Sequence, residues 1–468
     1  VLGALAGLLY LVTLCRGVYW YDSAEYVTAA YTLGVPHPPG YPLYTLLARL
    51  FLCLPLSPAL AVNAMSALCG AVAVALAYAN ARMLGAHAPA AVAAGAMLAS
   101  SPSFWTNATV AEVYTPGLCF TLLVLLVLLR AQDQQEPRLA VGAAALAGAG
   151  MGVHYSLASL GLGFALLAVR PAWGAPCAGR ARKVLAQLGA CALAALLAYA
   201  LVFSYVVLRA GSEATPNQAA PLNTAHLLWL LTGGNYRFWF EDHALWPRAL
   251  HVLRLLSTET SWLGAVLAAL GVIALARRDR WRACALLSGV AGNVAVFFRY
   301  RVDDLEVFLL PSVALLCLCA GAGLQAIADR VVVAVGPSRA RASVAPALVA
   351  CGLALSRVWS GFAAHDLSAF SAAQDYGERL AVQLPYKAVI LNYTTPEEWK
   401  FDAVFGMYFQ HVLERRRDVV VVSHADRPIL NRLIAEQRPT YLYAPVAHVA
   451  REYVLAAEGD LYRLLSRR

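Results

Sequence analysis

The sequence predicts a mainly α-helical protein that crosses a membrane many times and ends in a small α/β domain. Three observations carry this. Of 468 residues, 60% are hydrophobic and 13% charged, with a mean hydropathy of +0.61, whereas a soluble domain carries roughly 25% charged residues. Apolar runs of near-spanning length recur from the first residue to residue 361. Beyond that point charges become frequent, and short β-prone runs alternate with helical patterns.

Taken in order, the apolar runs place about eleven spans, at 1–16, 58–81, 87–102, 116–130, 139–153, 156–169, 184–208, 259–276, 283–298, 307–327 and 343–361. Val1 opens inside the first of these without a charged leader region, which predicts a first span rather than a cleaved signal peptide. The net charge of +9 does not point to nucleic acid, because the basic residues sit in short clusters between apolar runs. These are Arg82; Arg130 and Arg138; Arg170, Arg180, Arg182 and Lys183; Arg277, Arg278, Arg280 and Arg282; and Arg330, Arg339 and Arg341. If they face the cytoplasm, the N-terminus is inside and the C-terminal segment outside. The run from 139 to 169 then crosses twice, with His154, Tyr155 and Ser156 at an outer apex.

The same topology collects Asp22, Glu25, His37, Glu112, His154, Glu241, Asp242, Arg299, Arg301, Asp303, Asp304 and Glu306 on the outer side. Reactive side chains are thus sorted away from the basic loops. The sequence divides into a membrane module, 1–361, with a first outer loop at 17–57, and an outer α/β domain, 362–468, whose β-prone runs are AVILNY (388–393), VVVVS (419–423) and TYLYA (440–444). No Gly-rich phosphate loop precedes its helices. None of the ten cysteines lies in the outer α/β domain, so no disulfide framework is indicated.

The first outer loop is the most informative stretch. YDSAEYVTAAYTLGVPHPPGYPLY runs from Tyr21 to Tyr44 between apolar segments. Asp22 and Glu25 are three apart and share one helical face with Tyr26, while the Pro-rich run after Val35 cannot continue a helix. A short helix at the membrane surface followed by a rigid turn is predicted. The Asp22–Glu25 spacing also fits a capping box, so spacing alone leaves cap and catalyst open.

DSAEYVTAAYTLGVPHPPGYPLYTLLARLF resembles the N-terminal signature of a widespread membrane-protein family that includes the eukaryotic transmembrane O-mannosyltransferases of plexin-type receptor domains. AEVYTP at 111–116 is similar to a second element of that family, GMGVHYS at 150–156 to a third, and VDDLEVFLLP at 302–311 to a later loop. Ala24 stands where the family usually has Gly, and the outer domain is short compared with members that bear long repeat-containing tails. The resemblance implies a GT-C glycosyltransferase, a class in which an acidic residue of the first outer loop serves catalysis and a polyprenyl-phosphate sugar is the donor. It implies transfer of a hexose, mannose by the family's habit, to a protein or glycan hydroxyl, and with one strong base candidate and no clear separate nucleophile, direct displacement with inversion is the expected route. Asp22 is then the base, and Glu25 its partner or an acceptor of sugar hydroxyls.

Other assignments pair residue chemistry with that resemblance. Arg299 and Arg301 flank Tyr300 at a span end, where guanidinium groups suit a lipid phosphate; ion pairing with Asp303, Asp304 or Glu306, or snorkelling to headgroups, is the other reading. His37 either binds the donor phosphate or braces the turn. Glu112, Tyr114, His154 and Asp303 are candidate substrate contacts, with membrane-interface anchoring the plainer role for the tyrosines. Asp303 and Asp304 can be read as a divalent-cation pair, yet a single-phosphate donor needs no obligatory metal when arginines neutralise it, so no cofactor is expected. The Ala-rich, Arg-over-Lys composition suggests a bacterial inner-membrane protein with its site on the periplasmic side. A transporter or flippase of lipid-linked sugars is the alternative, against which stand the lack of repeated halves and of mid-span charges. A sensor with the spans as mere anchor ranks last.

Overall fold

The computed structural model describes all residues except 174–178, 235–243, 336–343, 394 and 424. The aromatic and acidic stretch with Glu241 and Asp242 therefore lies outside the described residues. Each of the eleven apolar runs contains a helix, from Leu2–Val12 to Ala345–His365. Among the described residues six helices are long and apolar enough to cross a membrane by themselves: Pro58–Met83, Tyr114–Asp133, Tyr155–Trp173, Arg180–Arg209, Leu310–Ala334 and Ala345–His365. A seventh span results if Leu245–Thr260 and Trp262–Arg278, bent by 96° at Ser261, count as one. Leu2–Val12 and Ala88–Ala99 are apolar but shorter, and 12 residues rise only about 18 Å against a hydrocarbon core of about 30 Å. Apolarity thus located the helices, while their lengths give fewer independent spans than the eleven expected.

Basic loops far apart in sequence meet at one end of the bundle. Arg282 donates to the Met83 carbonyl at 2.7 Å and to Gln132 at 3.1 Å and pairs with Asp133. Arg170 pairs with Asp279 at 2.5 Å, and Arg278 pairs with Asp329. The helices Pro58–Met83, Tyr114–Asp133 and Leu310–Val335 each run to that end from the opposite one, where the first outer loop lies.

Small residues bring the helices together. A Cβ on Gly271 would overlap the carbonyl oxygen of Cys319, and one on Gly323 would overlap that of Leu267. The helices Trp262–Arg278 and Leu310–Val335 therefore touch backbone to backbone, as membrane helices do where glycines face each other.

The chain after His365 builds a five-stranded sheet. Its strands are β1 (Val389–Asn392), β2 (Val420–Ser423), β3 (Thr440–Leu442), β4 (Tyr453–Glu458) and β5 (Leu461–Arg467), in the order β2-β1-β3-β5-β4. β1 pairs in parallel with β2 and β3, with Ile390 opposite Val421 and Tyr441, and the remaining pairings are antiparallel. The three runs read from sequence are β1 to β3. The β4–β5 hairpin was not anticipated: its only turn signal is Gly459-Asp460, with Gly459 at φ +60°, inside a charged segment. A helix at Pro396–Asp402 follows β1 and continues as a π-helical turn over Ala403–Val412.

This domain is not a detached appendage. Val18, Ala24, Val27 and Ala30 of the first outer loop share one apolar core with Ala373, Ala403, Phe405 and Phe409 of the C-terminal domain.

Gly271→Leu should prevent the two helices from meeting, and the variant should give no monodisperse, cooperatively melting protein in detergent. A wild-type melting profile would mean that they do not cross so closely.

Candidate active site

The first outer loop folds as its sequence suggests, a helix over Asp22–Thr32 followed by a turn. In the turn the Gly40 N–H donates to the His37 carbonyl at 2.8 Å, and Gly40 takes φ +93°, a conformation glycine adopts without strain. The capping-box reading of Asp22 is not realised. The N-cap position is Tyr21, no side chain caps the helix, and Asp22 is its first residue.

The two carboxylates of this helix have different surroundings. Glu25 has no exposed side-chain surface: one oxygen accepts the backbone N–H of His37 at 2.9 Å and the other contacts His37 Nδ1. Asp22 is 36% exposed, with Oδ2 3.7 Å from His37 Nε2. Its Oδ1 accepts a hydrogen bond from Trp399 Nε1 of the C-terminal domain at 2.9 Å. His37 therefore lies between a buried and an open carboxylate, its own side chain 14% exposed.

Burial alone would lower the His37 pKa, but the charges of Asp22 and then Glu25 outweigh it and hold it at about 9. Burial raises Glu25, against the pull of His37. A buried pair of this kind holds one proton, and with two carboxylates around the imidazole we assign that proton to His37.

Three further segments converge here. Glu112 accepts from the Ser23 hydroxyl at 3.3 Å, and burial, then the charges of Asp22 and Asp304, raise its carboxyl well above the usual range. His154 is lowered to about 4 by burial and the charge of His37. Its Nδ1 accepts from the Ser156 N–H at 3.3 Å, so the neutral ring carries its proton on Nε2. Tyr114 packs edge-on to His154 at 5.1 Å and to Phe308 at 5.6 Å, and Tyr41 stacks parallel to His154 at 6.4 Å. Tyr114 is thus part of an aromatic wall inside the site rather than of a membrane-interface belt.

The loop at 299–308 sets its two aspartates apart. Asp303 is exposed, and it is the neighbouring Asp304 whose charge reaches Asp22, Glu112 and Tyr114. Asp304 is open by surface area yet ringed by protein, and burial, then the charge of Asp22, raises it to about 6. Tyr300 is buried against Phe308 at 5.0 Å, while Arg299 and Arg301 are exposed on either side of it. Arg248 was not anticipated and braces this loop, donating to the carbonyls of Phe298 at 2.7 Å and Tyr300 at 2.5 Å. Trp399 also escaped the sequence reading, since nothing in PEEWKF links it to a loop 377 positions earlier.

Asp22, Glu25 and His37 are the one group of possible cation-holding side chains found among the described residues, with donor atoms within 4.8 Å of one another. His37 Nδ1 is already engaged by Glu25. The Asp303–Asp304 pair, which the sequence also allowed to be read as a cation pair, belongs to no such group of three or more side chains among the described residues.

Raised above its unfolded value near 6.5, His37 stabilises the fold fully below about pH 6.5 and loses that contribution as pH rises through about 9. Melting temperature should therefore fall more steeply between pH 7 and 10 in wild type than in His37→Gln. Parallel curves would show that the imidazole is not charged in the folded protein.

Known proteins resemble this arrangement at two levels. Residues 22–170 match the family model of the protein O-mannosyl-transferase TMEM260 N-terminal domain. The mouse protein O-mannosyl-transferase TMEM260 is 41% identical over 127 residues, which are 26% of this chain and 18% of the mouse protein, so the chain matches under a fifth of that relative's length. In fold the chain is similar to ArnT from Cupriavidus metallidurans. The crystal structure bound to undecaprenyl phosphate superposes with a TM-score of 0.64 at 14% identity, covering 99% of this chain and 97% of that one. The apo crystal structure gives 0.63, also at 14% identity, with coverages of 99% and 96%. The resemblance first read in the DSAEY to HPPGYPLY stretch is met by sequence over that part of the chain: this is an integral membrane protein with a fold similar to that of ArnT, similar over residues 22–170 to the TMEM260 protein O-mannosyl-transferase N-terminal domain.

Proposed function

We propose that this protein is an inverting glycosyltransferase that moves a hexose, mannose, from a polyprenyl-phosphate donor to a hydroxyl of a protein Ser or Thr. The observation that carries the proposal is Asp22: a partly exposed carboxylate, held on one oxygen by Trp399 and facing the imidazolium of His37 with the other. A base poised for a hydroxyl proton needs this combination of access and fixed orientation.

In the step proposed, the acceptor oxygen attacks the anomeric carbon while its proton passes to Asp22. The bond from that carbon to the phosphate oxygen breaks on the opposite face, and the polyprenyl phosphate leaves with the electron pair. A protonated Glu112 and the Nε2–H of His154 are donors suited to sugar hydroxyls, and Asp304 is an acceptor for them. Fully buried Glu25 acts through His37 and not on substrate. Arg299 and Arg301, beside Tyr300, are the phosphate-binding candidates. With Arg299 and Arg301 to neutralise a single-phosphate leaving group, the proposed reaction includes no obligatory divalent ion.

The similarly folded ArnT, crystallised with undecaprenyl phosphate, supports a polyprenyl donor, and the mannosyltransferase relative supports the sugar and the acceptor. Clustering of the ionisable residues at one end of the bundle, away from the midplane, disfavours a transporter. We place that end, with the C-terminal domain, on the periplasmic face of a bacterial inner membrane, because the basic loops gather at the other end.

The test incubates purified protein with a panel of polyprenyl-phosphate sugars and acceptor peptides and follows products by mass spectrometry. Asp22→Asn should lower turnover at least about 100-fold with melting temperature nearly unchanged, Arg299→Gln with Arg301→Gln should raise the donor KM, and EDTA should have no effect. Full turnover by Asp22→Asn removes it as base, an unchanged KM returns the arginines to headgroup contact, and loss of rate in EDTA brings a metal back. A C-terminal tag should react with an impermeant label in intact cells; protection would invert the topology.

A further inference from the structure

The C-terminal domain holds the side chain on which the proposed chemistry turns. Trp399 is the only donor that any described contact brings to Asp22 Oδ1, at 2.9 Å, and its ring stands edge-on to His37, 6.4 Å away and at 89°. Asp22 cannot take its orientation from its own helix, because it occupies the first helical position and caps nothing. The corner before it is also unusual. Tyr21 has φ 56° and ψ −133°, a region that non-glycine residues rarely occupy and that persists only where neighbours impose it.

Those neighbours come from the same short helix as Trp399. Lys400 Nζ lies 4.5 Å above the Trp20 ring and 5.8 Å from that of Tyr21. The helix is itself fixed. Thr395 and Glu398 close a capping box at its start, and buried Glu398 also accepts the N–H groups of Tyr393 and Thr395 at 3.0 and 3.2 Å, tying the helix to the end of β1. Its continuation, Ala403–Val412, enters the apolar core shared with the Asp22–Thr32 helix. A rigid path thus runs from the sheet through Trp399 to one oxygen of Asp22.

We propose that Trp399 is a positioning residue, and that the C-terminal domain is a constitutive part of the active site that orients the base rather than a module that only recruits acceptor. Its indole N–H occupies Oδ1 and leaves Oδ2, which at 3.7 Å from His37 Nε2 is beyond hydrogen-bond distance of the imidazole, as the oxygen presented to the acceptor hydroxyl. This rests on the reading of Asp22 as base given above.

Trp399→Phe keeps the ring and removes the N–H. It should lower kcat by about 10-fold to 100-fold, as loss of orientation does, while donor KM stays within about 2-fold of wild type. In an Asp22→Glu background, where the carboxylate has already left this register, the same change should cost less than about 2-fold. An unchanged kcat, or an equal loss in both backgrounds, overturns the proposal, since a purely structural tryptophan would act alike in each.

The contact is also read without substrate. Melting temperatures of Asp22→Ala, which removes the accepting oxygen, Trp399→Phe and the double variant should be non-additive; additive shifts mean that the pair does not interact, and the proposal falls. Wild-type protein that transfers no sugar, with non-additive melting shifts, would instead sink the glycosyltransferase reading and the positioning role with it, leaving the hydrogen bond as a domain contact.

Discussion

An ion pair sealed under the first outer loop organises the site. Glu25 is buried without exposed surface, and His37 covers it with both its backbone N–H and its ring. Each needs the other, because an isolated charge there would lose its hydration without return, and breaking such a pair costs about 3–5 kcal/mol. The pair ties the start of the Asp22–Thr32 helix to the turn twelve residues on, so the loop folds back upon itself. It also fixes the imidazole so that Nε2 faces Asp22. Glu25 and Asp22, one helical turn apart, thereby acquire opposite roles from their surroundings: one is spent on structure and the other stays partly exposed.

The loop would not hold this shape alone. Its helix presents Ala24, Val27 and Ala30 to an apolar core completed by Phe405, Phe409 and Ala373, and this burial draws the C-terminal domain onto the membrane module. Hydrophobic contact has no direction, so the orientation of the carboxylate falls to hydrogen bonds, of which Trp399 to Asp22 is the direct one. Apolar burial brings the domain to the site, and one indole N–H aims the base.

The membrane helices hold the two ends of the bundle apart. Glycine contacts such as Gly271 against Cys319 allow backbones to approach, and the Arg170, Asp279, Arg282 and Asp133 network joins loops at the basic end. The same helices deliver Glu112 with Tyr114, His154, and Asp304 with Phe308 to the other end, where burial and mutual repulsion raise Glu112 and Asp304 and burial keeps His154 neutral. One end of the bundle therefore holds a partly exposed carboxylate, a cationic ring, a neutral ring and carboxyl groups shifted upward.

By itself the sequence determined the membrane class, the position of each apolar helix, the helix and turn of the first outer loop, and strands β1 to β3. These are local properties: in a bilayer a continuous apolar segment must satisfy its backbone internally as a helix, and a His-Pro-Pro-Gly run cannot remain helical. Asp22, His37, Glu112 and His154 could be singled out because unusual residue types sat beside apolar runs. Only the tertiary structure decided that Glu25 is buried under His37, that the charge of Asp304 reaches Asp22 and Glu112, and that Trp399 reaches Asp22. Adjacent aspartates are chemically alike until neighbours from other helices surround one of them. An indole 377 residues away leaves no trace in the spacing around Asp22, because what unites them is a shared core built from both ends of the chain.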